Sequence, residues 1–271
     1  MYSISDYLSK SQNIFAYKNL LVLRYARTRP LGGKNIITRI LRIFYPKLTL
    51  KTKIFKGLKL VINPADFSHL KITDEFLFEK IYDLDKVPFK PDCIIDCGAH
   101  IGMFTLLSKS KFKTTPIYIF EPNPKNVAYI KTQINVNSLE NVHLEEAAVS
   151  TYDGNACFEN SEISFGGYIS ENPITNKSYQ VKVLDLSRYI GNIGPKKLLI
   201  KIDIEGEEEV LIPELLKILP KQCVLFFEYH FGIEKFRALQ AKLQNQDYHV
   251  SITRIIDDLY IDAMASRNAV T

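Results

Sequence analysis

The sequence predicts an α/β fold, a mostly parallel sheet with helices on both faces, and three observations carry that expectation. Apolar, strand-like runs alternate with helix-like segments from residue 93 to 244. Two further runs, 248–254 and 259–264, close the chain on either side of Asp257-Asp258. The first run leads straight into a glycine-bearing turn, Asp96-Cys97-Gly98-Ala99-His100-Ile101-Gly102. Strands and helices alternating at this spacing form parallel strands joined by crossover helices. Two closing strands after five alternating ones complete a Rossmann-like, seven-stranded sheet.

Residues 1–57 read as a mostly helical, basic extension, and 58–271 as the α/β domain. After Gly32-Gly33, the side chains of Ile36, Ile37, Ile40, Leu41 and Phe44 share one helical face, with Arg39 and Arg42 on the other, until Pro46. A short hairpin is expected over 52–63. A helix follows over 74–84, with Phe76, Leu77 and Ile81 inward. The alternating strands fall at 93–97, 116–120, 142–149, 198–204 and 222–229, and the helices at 104–110, 124–136, 207–219 and 234–244. Between the third and fourth strands, 150–180 is polar and holds Gly154, Gly166 and Gly167. That stretch is read as an extra hairpin or a mobile lid.

With 271 residues, 46% of them hydrophobic and 24% charged, the chain suits one large globular domain, or a domain with an appendage. No apolar run reaches the roughly 18 residues that span a bilayer, and 1–10 lacks a secretory pattern, so the expected location is the cytoplasm. Cys93, Cys97, Cys157 and Cys223 form no CxxC pair and read as buried, reduced thiols. Charge is uneven. Residues 1–60 hold 13 Lys and Arg against one acid, Asp6, while 61–271 hold 22 basic and 29 acidic groups. A basic front end on a mildly acidic body suggests an anionic partner for 1–57: an anionic membrane at the inner surface, a lipid-linked glycan or, less favoured, nucleic acid. The aromatic residues Tyr17, Tyr25, Phe44 and Tyr45 form no stacking platform for bases.

The turn at 96–102 carries the first ligand signal. Gly98 lets backbone approach a ligand and Gly102 lets the next helix pack close to the sheet. Asp96 stands where a carboxylate reaches polar groups of the ligand, and Ala99 and His100 complete the loop. NAD sites use G-x-G-x-x-G. The G-x-x-x-G spacing here, with an acid two residues ahead, favours S-adenosylmethionine (SAM). The second signal is Phe120-Glu121-Pro122-Asn123 at the end of the second strand, where Glu121 can accept both ribose hydroxyls. Glu146 and Ala147, late in the third strand, are candidates to flank adenine.

These residues resemble the FkbM family of methyltransferases. The matching pieces are 95–102, Phe120-Glu121-Pro122, Ala147-Ala148-Val149-Ser150 with Asp153-Gly154, Leu184-Asp185, and Lys201-Ile202-Asp203-Ile204-Glu205-Gly206. The last is the most specific, and His100 stands where the family commonly has Asn. The resemblance spans about 58–265. It implies a class I methyltransferase sheet, SAM as cofactor, and O-methylation of a hydroxyl on a sugar, surface glycan or small metabolite.

Methyl transfer to a poor nucleophile calls for a base or a metal ion. Two strand ends are rich in ionisable groups. Lys201, Asp203 and Glu205 alternate on one face of the fourth strand's end. Asp203 is a candidate cofactor contact, base or Mg²⁺ ligand. Lys201 is a candidate for neutralising buried acid or for a plain ion pair with Glu205, and Glu205 a candidate helix cap. Glu228 and His230 follow the fifth strand, and His230 is the favoured base, with Asp203 next. The alternatives are a nucleic-acid methyltransferase with a basic arm, a non-catalytic SAM-binding protein and, disfavoured by the turn, a NAD-linked enzyme.

Overall fold

A computed structural model describes residues 49–159, 167–256 and 258–267. The helical extension expected before residue 49 and the 160–166 part of the expected lid lie outside these. Among the described residues no helix is long and apolar enough to cross a membrane.

The first described element is an antiparallel hairpin, β1 (Leu50–Ile54) and β2 (Leu58–Ile62), as the alternation over 52–63 predicts. The expected boundary at 57/58 falls in its turn, and Ile54, Leu60 and Ile62 are buried in the core. Helix α1 (Phe67–Asp74) follows. Asp66 starts it, its carboxylate accepting the Ser68 N–H at 3.0 Å. The chain then widens into a π-helical turn, Glu75–Glu79, ended by Lys80 at a left-handed φ of 52°. The helix expected over 74–84 is therefore earlier and shorter, although Phe76, Leu77 and Ile81 are buried as expected.

The alternating core runs β3 (Cys93–Cys97), α2 (Met103–Lys111), β4 (Ile117–Phe120), α3 (Pro124–Asn137) and β5 (Val142–Glu145). The run 142–149 is not one strand. Glu146 is half exposed and paired with Lys131 at 2.5 Å. Beyond it the chain leaves the sheet to start a second, four-stranded one: β6 (Ala147–Ser150), β7 (Gly154–Glu159), β8 (Tyr168–Ser170) and β9 (Tyr179–Asp185), in the order β6-β9-β7-β8. The chain returns through α4 (Leu186–Ile193), β10 (Lys197–Ile202), α5 (Glu208–Leu215), β11 (Gln222–Tyr229), α6 (Gly232–Gln244), β12 (His249–Ile256) and β13 (Tyr260–Arg267).

The main sheet has the order β12-β13-β11-β10-β3-β4-β5, and β13 alone runs against its neighbours. Helices cover both faces. Ile94, Ile119, Leu199 and Phe226 pack with Phe104 and Leu106 on one, while Ile95, Ile200, Leu225 and Phe227 pack with Leu211 and Phe236 on the other. Burial on both faces explains why these strands read as continuous apolar runs rather than alternating ones. All four cysteines are buried and free.

The hairpin docks through an unusual device. Two amide side chains of α3 serve the outer edge of β2. Gln133 accepts the Val61 N–H at 3.0 Å and donates to its carbonyl at 2.7 Å; Asn137 does the same for Lys59 at 2.6 and 2.7 Å. Gln133 and Val61 are buried, so truncation leaves two main-chain groups without partners at about 1–3 kcal/mol each. Gln133→Ala is expected to lower Tm by roughly 5 °C or more in a thermal melt; an unchanged Tm would show that the hairpin adds little to the fold.

Candidate active site

The carboxyl ends of β10, β3 and β4 lie side by side, and their turns build one cleft. After β3 the chain turns at Gly98, whose φ is +68° and where a Cβ would sit 1.7 Å from the carbonyl oxygen of Asp203. Only glycine allows this close approach of the β3 and β10 turns. His100 follows at a left-handed φ of 52°. Asn and His are among the few side chains that tolerate this region, which accounts for His100 at a position where the family has Asn. Its N–H donates to Glu121 at 2.7 Å, and its Nε2 lies 3.2 Å from the Ser68 hydroxyl.

Glu121, at the end of β4, lines the cleft. Its carboxylate also accepts the Asn123 N–H at 2.9 Å and the Asn126 amide at 3.3 Å. Burial pushes its pKa up to about 7 against these donors. The facing wall is apolar, built from Phe120, Ala147, Ala148 and Val149, with Phe158 and Ile169 of the β7–β8 hairpin above. That hairpin is the insertion expected in 150–180. A buried carboxylate beside a slot of small apolar residues suits a ribose joined to a flat purine.

The sequence candidates divide accordingly. Gly98, His100, Glu121, Pro122, Ala147 and Asp203 line the cleft. Asp96, Ala99, Gly102, Asn123 and Glu146 are not among its lining residues. Asp96 is fully buried beneath the loop, where it accepts the Thr105 hydroxyl at 2.8 Å. Gly102 begins α2 and Asn123 caps α3 through the Lys125 N–H. Ala99 is packed in the core, and Glu146 faces Lys131 outside. Asp153 and Asp185, from matching motifs, are structural. Asp153 accepts the Asp185 N–H at 3.1 Å, and Asp185 caps α4.

Lys201 does not pair with Glu205. Its buried ammonium donates to the carbonyls of Cys97 (3.1 Å) and Gly98 (2.6 Å), between Asp203 at 3.3 Å and Asp96 at 3.9 Å. Burial opposes its charge, but Asp203 and Asp96 outweigh it and raise its pKa. Nor does Glu205 cap the next helix. Glu208, fully buried, takes the N–H groups of Ile204 and Gly206 at 3.0 Å each. Glu205, at a left-handed φ of 55°, instead lines the cleft. Sequence reasoning ranked it below its neighbours because an acid just before a helix reads as a cap.

His230 sits among carboxylates: Nδ1 is 3.0 Å from Glu208, and Nε2 is 3.3 Å from Glu205 and 3.9 Å from Glu228. Burial disfavours its charge, yet the hydrogen bond and charge of Glu208, then Glu205 and Asp203, push its pKa up to about 10. Both nitrogens face acceptors, an arrangement that favours the imidazolium over the neutral base expected from the sequence. Burial and then Asp203 raise Glu205 to about 7 and Glu228 to about 8. Among the described residues, Asp203, Glu228 and His230 bring one ligand atom each within 4.8 Å of one another, a mixed oxygen and nitrogen set rather than the all-oxygen set expected for Mg²⁺.

A family model, the methyltransferase FkbM domain, matches residues 96–250. The chain belongs to the FkbM methyltransferase family. Its relatives include Methyltransferase 1 of Beauveria bassiana, 27% identical over 59% of this FkbM chain and 73% of that protein. The ribosomal RNA small subunit methyltransferase G of Campylobacter jejuni is 34% identical over 38% of this chain and 55% of its own; the chain thus spans about half of that relative's length. A solved FkbM methyltransferase from Methylobacillus flagellatus KT aligns over 73% of this chain and 53% of that one, at 14% identity and a TM-score of 0.46. Class and site agree on SAM as cofactor. When bound, it supplies an electrophilic methyl group.

Protonation of Glu121 removes a ribose acceptor, so SAM binding to this FkbM enzyme is expected to weaken as pH falls through about 7. Calorimetry should give roughly a tenfold loss of affinity between pH 8 and pH 6, flattened in Glu121→Gln. A pH-independent affinity in the native chain would contradict the assignment.

Proposed function

We propose that this SAM-dependent methyltransferase O-methylates a hydroxyl of a sugar, surface glycan or small hydroxylated metabolite, with Glu205 as the base and Asp203 beside it. The observation that carries the reading is that both carboxylates line the same cleft as Glu121, with the β3 end between them. A carboxylate there can take the proton that a hydroxyl must shed, and the apolar wall opposite limits competing water. His230, as imidazolium, holds Glu205 and Glu228 in place. Lys201 keeps the β3 and β10 turns in register, so that acceptor and methyl donor meet at a fixed distance.

The rRNA relative raises a nucleic-acid reading. The charge of the mouth speaks against it, because Asp203, Glu205 and Glu207 all line the cleft and repel a phosphate backbone. A screen with methyl-labelled SAM against nucleotide sugars, monosaccharides, hydroxylated metabolites and rRNA decides between the two. The expected product is an acid-stable methyl ether, formed about a hundredfold more slowly by Glu205→Gln at unchanged SAM affinity. Methylated rRNA, or full activity of Glu205→Gln, would contradict the reading.

Residues 1–57 are proposed to hold the enzyme peripherally at an anionic membrane, where lipid-linked glycans are presented. Their basic excess supports this, at about 1 kcal/mol for each Lys or Arg near the surface. In low-salt co-sedimentation with phosphatidylserine vesicles, the full chain should pellet and a chain lacking 1–48, which keeps the β1–β2 hairpin, should not; equal pelleting would overturn the idea.

A further inference from the structure

Beneath the acceptor end of the cleft the carboxylates outnumber the cations that could balance them. Lys201 is committed to Asp96, Asp203 and two loop carbonyls. Arg254 is committed to Asp262, to Glu75 at 3.1 Å and to Glu79 at 2.8 Å. His230 gives Nδ1 to Glu208. Its Nε2 faces both Glu205 and Glu228, and Lys71, the other described cation acting on Glu205, is shared with Glu75 at 3.5 Å.

Two observations point to a small cation that completes the cluster. The first is the ring of His230. A metal-ligating histidine characteristically donates its other nitrogen to a carboxylate, which fixes the ring and makes the free nitrogen a better ligand. Glu208 does this at 3.0 Å, and is itself held by two backbone N–H groups. The second is Tyr82, which is 4% exposed. Its hydroxyl is buried with no hydrogen-bond partner among the described residues, and the charges acting on it are those of Asp203, Asp262, Glu228 and Glu75. An orphaned hydroxyl among carboxylates, none of which bonds to it, marks a position for a small polar guest.

We infer that Asp203, Glu228 and His230, whose ligand atoms lie within 4.8 Å of one another, bind a first-row divalent metal ion such as Mn²⁺ in preference to Mg²⁺. Imidazole with two carboxylates suits Mn²⁺ or Zn²⁺, whereas Mg²⁺ demands oxygen ligands in a strict octahedron. A metal ion there lies next to Asp203 and Glu205, which line the cleft, and can draw charge from an acceptor hydroxyl before Glu205 takes its proton. That role rests on the O-methylation reading; the binding itself does not. Nε2 must release its proton to the solvent as the metal binds.

The test is calorimetric titration of the full chain with Mn²⁺ and, separately, Mg²⁺, alongside SAM. The expected result is one Mn²⁺ per chain, at least about tenfold tighter than Mg²⁺, and weakened about tenfold or more by Glu228→Gln and Asp203→Asn. Glu214→Gln, at the exposed Glu214–Lys217 pair, should bind as the native chain does. Pulsed paramagnetic resonance on the native protein gives a readout that needs no variant: Mn²⁺ should show coupling to an imidazole nitrogen. If SAM binds while Mn²⁺ does not, if Mn²⁺ shows no nitrogen coupling, or if the Glu228 and Asp203 variants fold and bind it undiminished, the metal site is wrong. The O-methylation reading would then stand or fall by its own screen.

Discussion

The ammonium of Lys201 is the interaction on which the site depends. Lys201 and Asp96 are register partners on adjacent central strands, so a cation and an anion meet in the middle of an otherwise apolar sheet. An ammonium this buried is tolerable only with its protons satisfied and its charge matched. The carbonyls of Cys97 and Gly98 supply the first condition, and Asp96 and Asp203 the second. One side chain thereby ties the loop after β3 to the turn after β10, which carries Asp203 and Glu205. Gly98 is the other half of this joint. Its missing Cβ lets the two turns touch, and the lysine then clamps them.

The same joint holds two strained backbone positions. His100 and Glu205, neither of them glycine, both adopt left-handed φ values, one in each turn. Such conformations cost of order 1 kcal/mol or more and persist where the surroundings over-determine them. His100 is held by its N–H bond to Glu121, and Glu205 by the Glu208 carboxylate that receives the N–H groups on either side of it. The result aims one backbone turn at the Glu121 carboxylate and one side chain into the cleft. Electrostatics follows from that geometry. Burial raises Glu121, and burial with like charge raises Glu205 and Glu228, while the carboxylates around His230 keep it charged.

Much of this was legible in the sequence. The doubly covered strands of a parallel sheet appear as unbroken apolar runs, so Cys93–Cys97, Lys197–Ile202 and Gln222–Tyr229 stand out. Gly98 and Glu121 mark the cleft because close backbone approach and a buried carboxylate at a strand end each demand a particular residue type. What sequence could not reveal depends on contacts between distant segments. Glu146 reads as part of a strand because nothing local shows that the chain leaves the sheet there. Asp96 looks like a ligand contact, and only its packing against Thr105 and Lys201 shows it to be a support. His230 looks like a base because an imidazole's charge state is set by neighbours, Glu205 and Glu208, more than 20 residues away. Glu205 loses its expected capping role for a similar reason: Glu208 takes the turn's N–H groups instead, and Glu205 sits at a positive φ and lines the cleft.

The central claim is that one cleft holds the methyl donor across the β4, β3 and β10 ends. A crystal structure of the chain with S-adenosylhomocysteine tests it most directly. The account predicts ribose hydroxyls on Glu121, the purine against Ala147 to Val149, and the sulfur turned toward Asp203 and Glu205. A nucleoside bound elsewhere, or bound in the cleft with its sulfur turned away from Asp203, would contradict it.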